Sequence, residues 1–222
     1  MTAVAVARRK ITMPNWVENS LEIKSNDVSV IKNITEKIKS SSNADNNYLR
    51  IASTLYPIPE ELSLVFGTGD NLRYAIDKDT GKKIHISIDE FFDGQKEESE
   101  SSYTMVDITE EEKQRLVELY GACDWYQWNV LNYGTKWGDC ETTLLIETVD
   151  KIVFVFNSPW NHSALLGQRI SSDFKVNVEL SHYSIENWEK GHYHFDSGEL
   201  KESHFEVLGN PEDVFVPVDE EE

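Results

Sequence analysis

Lys136 is a single cation set among aromatic side chains. Trp125, Tyr126, Trp128 and Tyr133 precede it, Trp137 follows directly, and Trp160 comes later in the chain. An ammonium group over indole or phenol faces can make cation–π contacts, and Gly134 permits the tight backbone that would turn it there. Trp125, Trp128, Tyr133, Lys136, Trp137 and Trp160 are therefore the candidate binding residues, for a ligand or a partner. The competing role is structural: the rings brace a helix against a sheet while Lys136 extends its ammonium to water. Tryptophan clusters are ordinarily core, so bracing is the expected role.

Other chemistry-bearing residues are sparser. His192 and His194 lie two apart on one strand face, and with His182, Asp196 or Glu199 they could hold a transition metal. No spacing fixes a third ligand, and no metal or cofactor is expected. Cys123 and Cys140 form neither a Cys-x-x-Cys nor a zinc spacing; a disulfide between them and a pair of buried thiols both remain open. There is no Gly-x-Ser-x-Gly and no nucleotide-binding glycine loop, since Gly67-Thr-Gly69 is too short to cradle a diphosphate. In so acidic a chain, carboxylate pairs carry no information about acid–base catalysis.

The charge balance narrows the partners. The 222 residues carry a net charge of −19 with a pI near 4.6. Nucleic-acid and anionic-membrane binders need a positive footprint, so both are disfavoured. RNA-binding sheets also surround their stacking rings with Lys and Arg, and Ile152–Phe156 lacks that basic context. The charge keeps the chain soluble and attracts basic partners. It could also imitate the phosphate rail of a duplex, which carries one charge per roughly 1.7 Å. From Asp89 to Glu112 ten acids face one lysine. Glu97, Glu98, Glu100, Glu110 and Glu111 are the candidate acidic face, with the tail at 212–222 as its extension. The N-terminus has its apolar run before its charges, the reverse of a signal peptide. No apolar run nears the ~20 residues of a membrane span. The expected location is cytoplasmic.

The elements that must position these residues are legible in outline. Residues 1–12 read as an extension. Asn19–Lys24 alternates as a strand, and Val28, Ile31, Ile34 and Ile38 mark an amphipathic helix capped by Asn26 or Asp27. A surface insertion is expected over about 67–108, with an edge strand at Lys83–Ile88. Thr109-Glu-Glu-Glu112 is a capping box opening a helix with Leu116, Leu119 and Tyr120 inward. Asp124 caps a second helix bearing Trp125, Trp128 and Leu131. A strand hairpin follows over Thr142–Phe156, turning at Asp150-Lys151. A helix should start at Ser158-Pro159 with Ala164, Leu165 and Ile170 inward. A strand at Phe174–Leu180, a hairpin turning at Asp196-Ser-Gly, and an acidic tail at 209–222 complete the chain. This order predicts one α+β domain over 13–208, a ferredoxin-like split β-α-β sandwich with helices on one face of an antiparallel sheet, an acidic insertion and an added C-terminal hairpin.

Met13-Pro-Asn-Trp16 with Asn19-x-Leu-x-Ile23 resembles the opening of the YubB-like ferredoxin-like proteins of plasmids and phages. Asp124-Trp-Tyr-x-Trp128, Gly134-Thr-Lys-Trp137 and Phe156-Asn-Ser-Pro-Trp160 resemble that family's later segments, and Asp196-Ser-Gly-Glu199 fits its closing strands. Tyr133 stands where the family usually has Trp, and Val17 where it often has Cys. The resemblance spans roughly Met13–Val207 outside the insertion. It implies a ferredoxin-like core and a mobile-element origin, and no activity. The resulting expectation is a non-enzymatic acidic interaction factor that binds a host protein, such as an anti-defence inhibitor. A small-molecule binding module with an aromatic pocket is the alternative, and a His/carboxylate hydrolase the third reading.

Overall fold

The computed structural model describes residues 15–41, 48–67, 69–86 and 101–208. The N-terminal extension, the centre of the acidic insertion with Glu97, Glu98 and Glu100, and the tail at 209–222 lie outside the described residues.

The chain is α+β, built on a six-stranded antiparallel sheet. Strands β8 (Asn177–Ser184), β1 (Trp16–Lys24), β7 (Lys151–Pro159) and β6 (Cys140–Glu147) are neighbours with β6 at one edge, and β9 (Glu189–Asp196) and β10 (Glu199–Val207) extend the other. The order across the sheet is β10-β9-β8-β1-β7-β6. Helix α1 (Val28–Lys39) follows β1, and the last helix of the chain, Ala164–Phe174, joins β7 to β8. The four neighbours β8-β1-β7-β6 thus follow the split β-α-β order.

Alternation explains which face each residue takes. Val17, Asn19, Leu21 and Ile23 point to the helices, while Glu18, Ser20 and Glu22 point away. The register pairs Leu21 with Phe154 and Leu180, and Ile23 with Ile152 and Val178. Against these apolar rungs pack Ile31, Ile34 and Ile38 of α1 and Leu166 and Ile170 of the Ala164–Phe174 helix, all essentially inaccessible. Each such side chain contributes about 1.5–3 kcal/mol relative to exposure. Asp27 caps α1, its carboxylate accepting from Ser29 N–H at 2.9 Å.

The described parts of the insertion form regular structure. After the short helices α2 (Ala52–Leu55) and α3 (Glu60–Ser63), strands β2 (Val65–Phe66), β3 (Arg73–Asp77), β4 (Lys83–Ile84) and β5 (Tyr103–Asp107) form a second antiparallel sheet around β3. Helix α4 (Glu110–Tyr120) then opens on the expected cap, with Glu112 N–H donating to Thr109 Oγ1 at 3.2 Å. Glu112 ties this sheet to the main body. It accepts from Arg115 Nε at 2.8 Å, Lys83 Nζ at 3.0 Å and Tyr74 OH at 3.1 Å. Those bonds, Arg115 first and Lys83 next, hold its carboxyl down at about 2.

Several local expectations are corrected. Of the predicted inward residues of α4, Leu116 is buried and Leu119 is 59% exposed. No helix begins at Ser158-Pro159: β7 runs through Pro159, which pairs with Trp16 at the end of the ladder, and the following helix starts at Ala164. Proline at a strand end loses no central hydrogen bond. That five-residue delay rotates the helix, so Leu166 and Ile170 face inward and Leu165 outward. The hairpin between β6 and β7 turns at Thr148–Asp150, with Thr148 N–H bonded to Lys151 O at 2.8 Å.

Candidate functional site

The aromatic segment divides into a buried half and an exposed half. Helix α5 (Trp125–Tyr133) is capped by Asp124, whose Oδ1 accepts from Gln127 N–H at 2.8 Å, and ends at Gly134 with φ 81°. Trp128 and Tyr133 point into the core and meet edge to face at 5.3 Å, with the Tyr133 hydroxyl donating to Tyr56 O. These two rings are the brace. Leu131, expected to share that stripe, is 56% exposed.

The loop after α5 is rigid for reasons that its sequence hides. Asn129 Nδ2 donates to Lys136 O at 2.7 Å, and Thr135 Oγ1 accepts from Gly138 N–H at 2.9 Å. Gly138 sits at φ 69°, where an added Cβ would lie 2.6 Å from Ala52 Cβ. Asp139, buried, accepts from the N–H groups of Ile51 and Ala52 at 2.8 and 2.7 Å and from the Thr142 hydroxyl. The opposite loop is fixed too: Trp160 adopts φ 62°, its N–H bonded to Asn15 O at 2.7 Å. A bulky residue in that conformation stores of order 1–3 kcal/mol, a cost that clusters at functional sites.

Between these loops the remaining rings form a surface row. Trp137 lies 5.5 Å from Trp160 and 6.3 Å from Trp16. Trp137 and Trp160 are 42% and 48% exposed. Lys136 Nζ stands 5.0 Å from the Trp137 ring, 5.4 Å from Trp160, 5.8 Å from Tyr126 and 5.9 Å from half-buried Trp125. Four of the six candidate binding residues, Trp125, Lys136, Trp137 and Trp160, therefore adjoin this surface, and Trp128 and Tyr133 serve the core. Trp16, which entered the sequence reading only through the Met13-Pro-Asn-Trp16 opening, completes the row. On the inner side, Trp125 and Trp137 share a cleft of about 370 Å³ with Arg50, Asn129 and Cys140. Asn129 Oδ1 is buried there without a partner. Both cysteines are free thiols; burial first and then the Asp139 charge push the Cys140 thiol up to about 11. Glu110 and Glu111 stand exposed in the first turn of α4, away from the row.

The histidines separate by sheet face. His192 and His194 point to the open side, His192 Nδ1 3.2 Å from Ser181 Oγ and His194 Nε2 3.4 Å from Asn177 Oδ1. The pairing of His182 with Asn19 and Gly191 puts it on the helix side, so it cannot join them. Among the described residues no group of three metal-ligating side chains assembles. On the helix side, His182 is 3% exposed and stacks on His162 at 4.3 Å, next to Tyr193. Neither nitrogen of His182 has a hydrogen-bond partner. Burial, then repulsion from His162, lowers its pKa to about 4. Gly191 makes room: a Cβ there would lie 2.3 Å from His182 Cε1. No sequence signal marks this pair: His182 lies on β8 and His162 in the loop between β7 and the Ala164–Phe174 helix, and tertiary packing brings them together. A His–carboxylate approach among the described residues, His204 Nε2 to Glu206 at 3.9 Å, lies on exposed side chains and offers no enclosed catalytic pair.

The open face of the large sheet carries a trough of about 870 Å³. Ser20, Ser181, Val155 and Thr143 line it together with Glu18, Tyr183 and Lys190. Trp16 falls in the same strand alternation as Glu18 and Ser20, so the tryptophan row adjoins this face.

No family model matches the chain, and no curated protein matches it. Among solved structures, the crystal structure of a protein api92 from Yersinia pseudotuberculosis, under the family model DUF1281, is similar at 14% identity and a TM-score of 0.43, covering 89% of this chain and 100% of that one. Among the described residues no helix is long and apolar enough to cross a membrane.

Proposed function

We propose that the chain is a non-enzymatic interaction factor of a phage or plasmid that docks on a basic protein of its host and blocks it, as an anti-defence inhibitor would. The observation that carries this reading is the row Trp16–Trp137–Trp160 around Lys136, held open on two rigid loops. Indoles half in water forgo burial worth kcal/mol each, and binding hot spots favour Trp placed in this manner. The net charge of −19 supports a basic partner, including one whose ordinary ligand is a nucleic acid. The resemblance of the Trp16 and Trp137 segments to mobile-element proteins supports the origin. The test is capture from host lysate at moderate salt, comparing the parent chain with Trp137→Ala/Trp160→Ala. One stoichiometric partner, lost with the double variant and weakened by salt, is expected. Equal retention by the variant overturns the reading.

The cleft behind Trp125 and Trp137 favours a second reading, a small-molecule module, since Asn129 Oδ1 is an unused acceptor there. A ligand in that cleft raises the melting temperature by mass action, and Asn129→Leu would abolish the rise.

A further inference from the structure

The trough on the open sheet face has a shape and a charge that specify an occupant. The register lays one rung of His204, His192, Ser181, Ser20, Val155 and Thr143 across all six strands. The four side chains from Ser181 to Thr143 are short. On one flank stand Lys190, Tyr183, Glu18 and Asn157, and the register places Glu202, His194, Glu179 and Glu22 on the other. Five inter-strand steps make the rung about 24 Å long, and the flanking rungs are about 13 Å apart along the strands. That spacing is close to the 10–12 Å diameter of a helix, and an extended chain is the narrower occupant of it.

The charge selects among extended chains. Lys190 is matched by Glu206 at 3.2 Å, and Lys24 and Lys151 are matched by Glu22 and Glu179. Glu18 and Glu202 have no ion pair among the described residues, and Glu141 accepts from the Asn157 amide at 2.9 Å. Polyanions are therefore repelled. The Tyr183 hydroxyl, buried in the wall without a partner, is a further unused hydrogen-bonding group. At the Trp16 end the trough meets the indole row.

We infer that this trough receives an extended, Lys- and Arg-bearing segment of a partner polypeptide, laid crosswise to the strands with its cations at Glu18 and Glu141. This deepens the interaction reading and rests on it for the partner's identity, while peptide binding itself can be measured without the partner. The experiment is fluorescence anisotropy of a labelled ten-residue peptide alternating Arg and Thr, titrated with the full chain. A Glu/Thr peptide and spermine are the controls. Ser20→Trp fills the floor without changing charge, and Thr143→Trp does so from another strand should Ser20→Trp fail to fold. Glu18→Gln/Glu141→Gln removes the charge at the site; Glu36→Gln/Glu118→Gln removes as much from exposed helix positions elsewhere.

Binding of the Arg/Thr peptide weakened at least tenfold by either Trp variant, and about three- to tenfold by Glu18→Gln/Glu141→Gln but not by the helix pair, is expected. No binding at low salt, equal binding by the floor-filled variants, or equal competition by spermine at matched charge overturns the inference. Peptide binding without any lysate partner would sink the host-protein reading alone. Lysate capture that survives Ser20→Trp and Thr143→Trp would sink the trough alone.

Discussion

The buried His162–His182 stack should make this protein acid-labile in a way that one substitution removes. His182 faces the rings of His162, Tyr193 and Phe205, and no carboxylate bonds to it among the described residues. Its pKa falls from 6.5 to about 4 on folding. Above pH 6.5 it is neutral in both states and costs nothing. As pH falls from 6.5 toward 4 the unfolded chain takes up a proton that the folded chain refuses, so stability declines, then levels off below 4. At pH 5 the difference amounts to about 2 kcal/mol. His182→Phe keeps a ring in the stack and cannot titrate. Urea unfolding followed by tryptophan fluorescence at pH 7.5 and pH 5 reads the effect. The parent's midpoint should fall by about 0.7–1 M more than the variant's, taking an m-value of roughly 2–3 kcal/mol/M. Carboxylate contributions are common to both chains and cancel. If His182→Phe loses as much stability as the parent over that interval, the burial argument is wrong.

Gly191→Ala should destabilise by about 1–3 kcal/mol, since its Cβ meets the His182 ring, and His182→Ala should recover part of that loss in a double-mutant cycle. Trp128→Ala should cost about 3–5 kcal/mol in chemical denaturation, whereas Trp137→Ala, at the surface, should cost under about 1 kcal/mol; equal costs would contradict the split between brace and exposed row. Glu112→Gln should lose about 1–2 kcal/mol at pH 7, allowing for screening at a partly exposed site. That carboxylate's contribution is fully present above pH 4.5 and vanishes as pH falls toward 2, so the two chains should converge there. Gly138→Ala combines a positive φ with a 2.6 Å clash and should lower the melting temperature by several degrees.

Local patterns carried much of this architecture. The alternation Leu21/Ile23, the stripe Ile31/Ile34/Ile38, the caps at Asp27, Thr109 and Asp124, and the Asp196-Ser-Gly turn are short-range devices whose physics acts within a few residues. They were readable because each satisfies its own backbone or buries its own face. Elements under tertiary control were not readable in that way. Pro159 ends a strand where its dipeptide suggests a helix start, because Trp16 lies opposite it. The described parts of the insertion form a second sheet because β3 pairs with β2, β4 and β5, and Glu112 bonds two cations, Arg115 and Lys83, and the Tyr74 hydroxyl beside it.

The candidate site divides along the same line. Composition pointed to Trp125, Trp137, Trp160 and Lys136, since so much aromatic surface must be packed or presented. Which rings are packed and which are presented depends on the Asn129–Lys136 and Asp139–Ile51 hydrogen bonds, which join residues that no local pattern links. The sequence by itself determined an acidic α+β chain with a tryptophan-rich middle, because charge, periodicity and capping are local or additive. Only the tertiary structure decided that Trp16 completes the exposed row, that His182 stacks on His162 over Gly191, and that Ser20 and Ser181 floor a trough. Strand register sets the trough floor and places Trp16 and His182, and register is fixed by the whole sheet packing at once; the loops that end α5 and β7 bring Trp137, Trp160 and His162 to them.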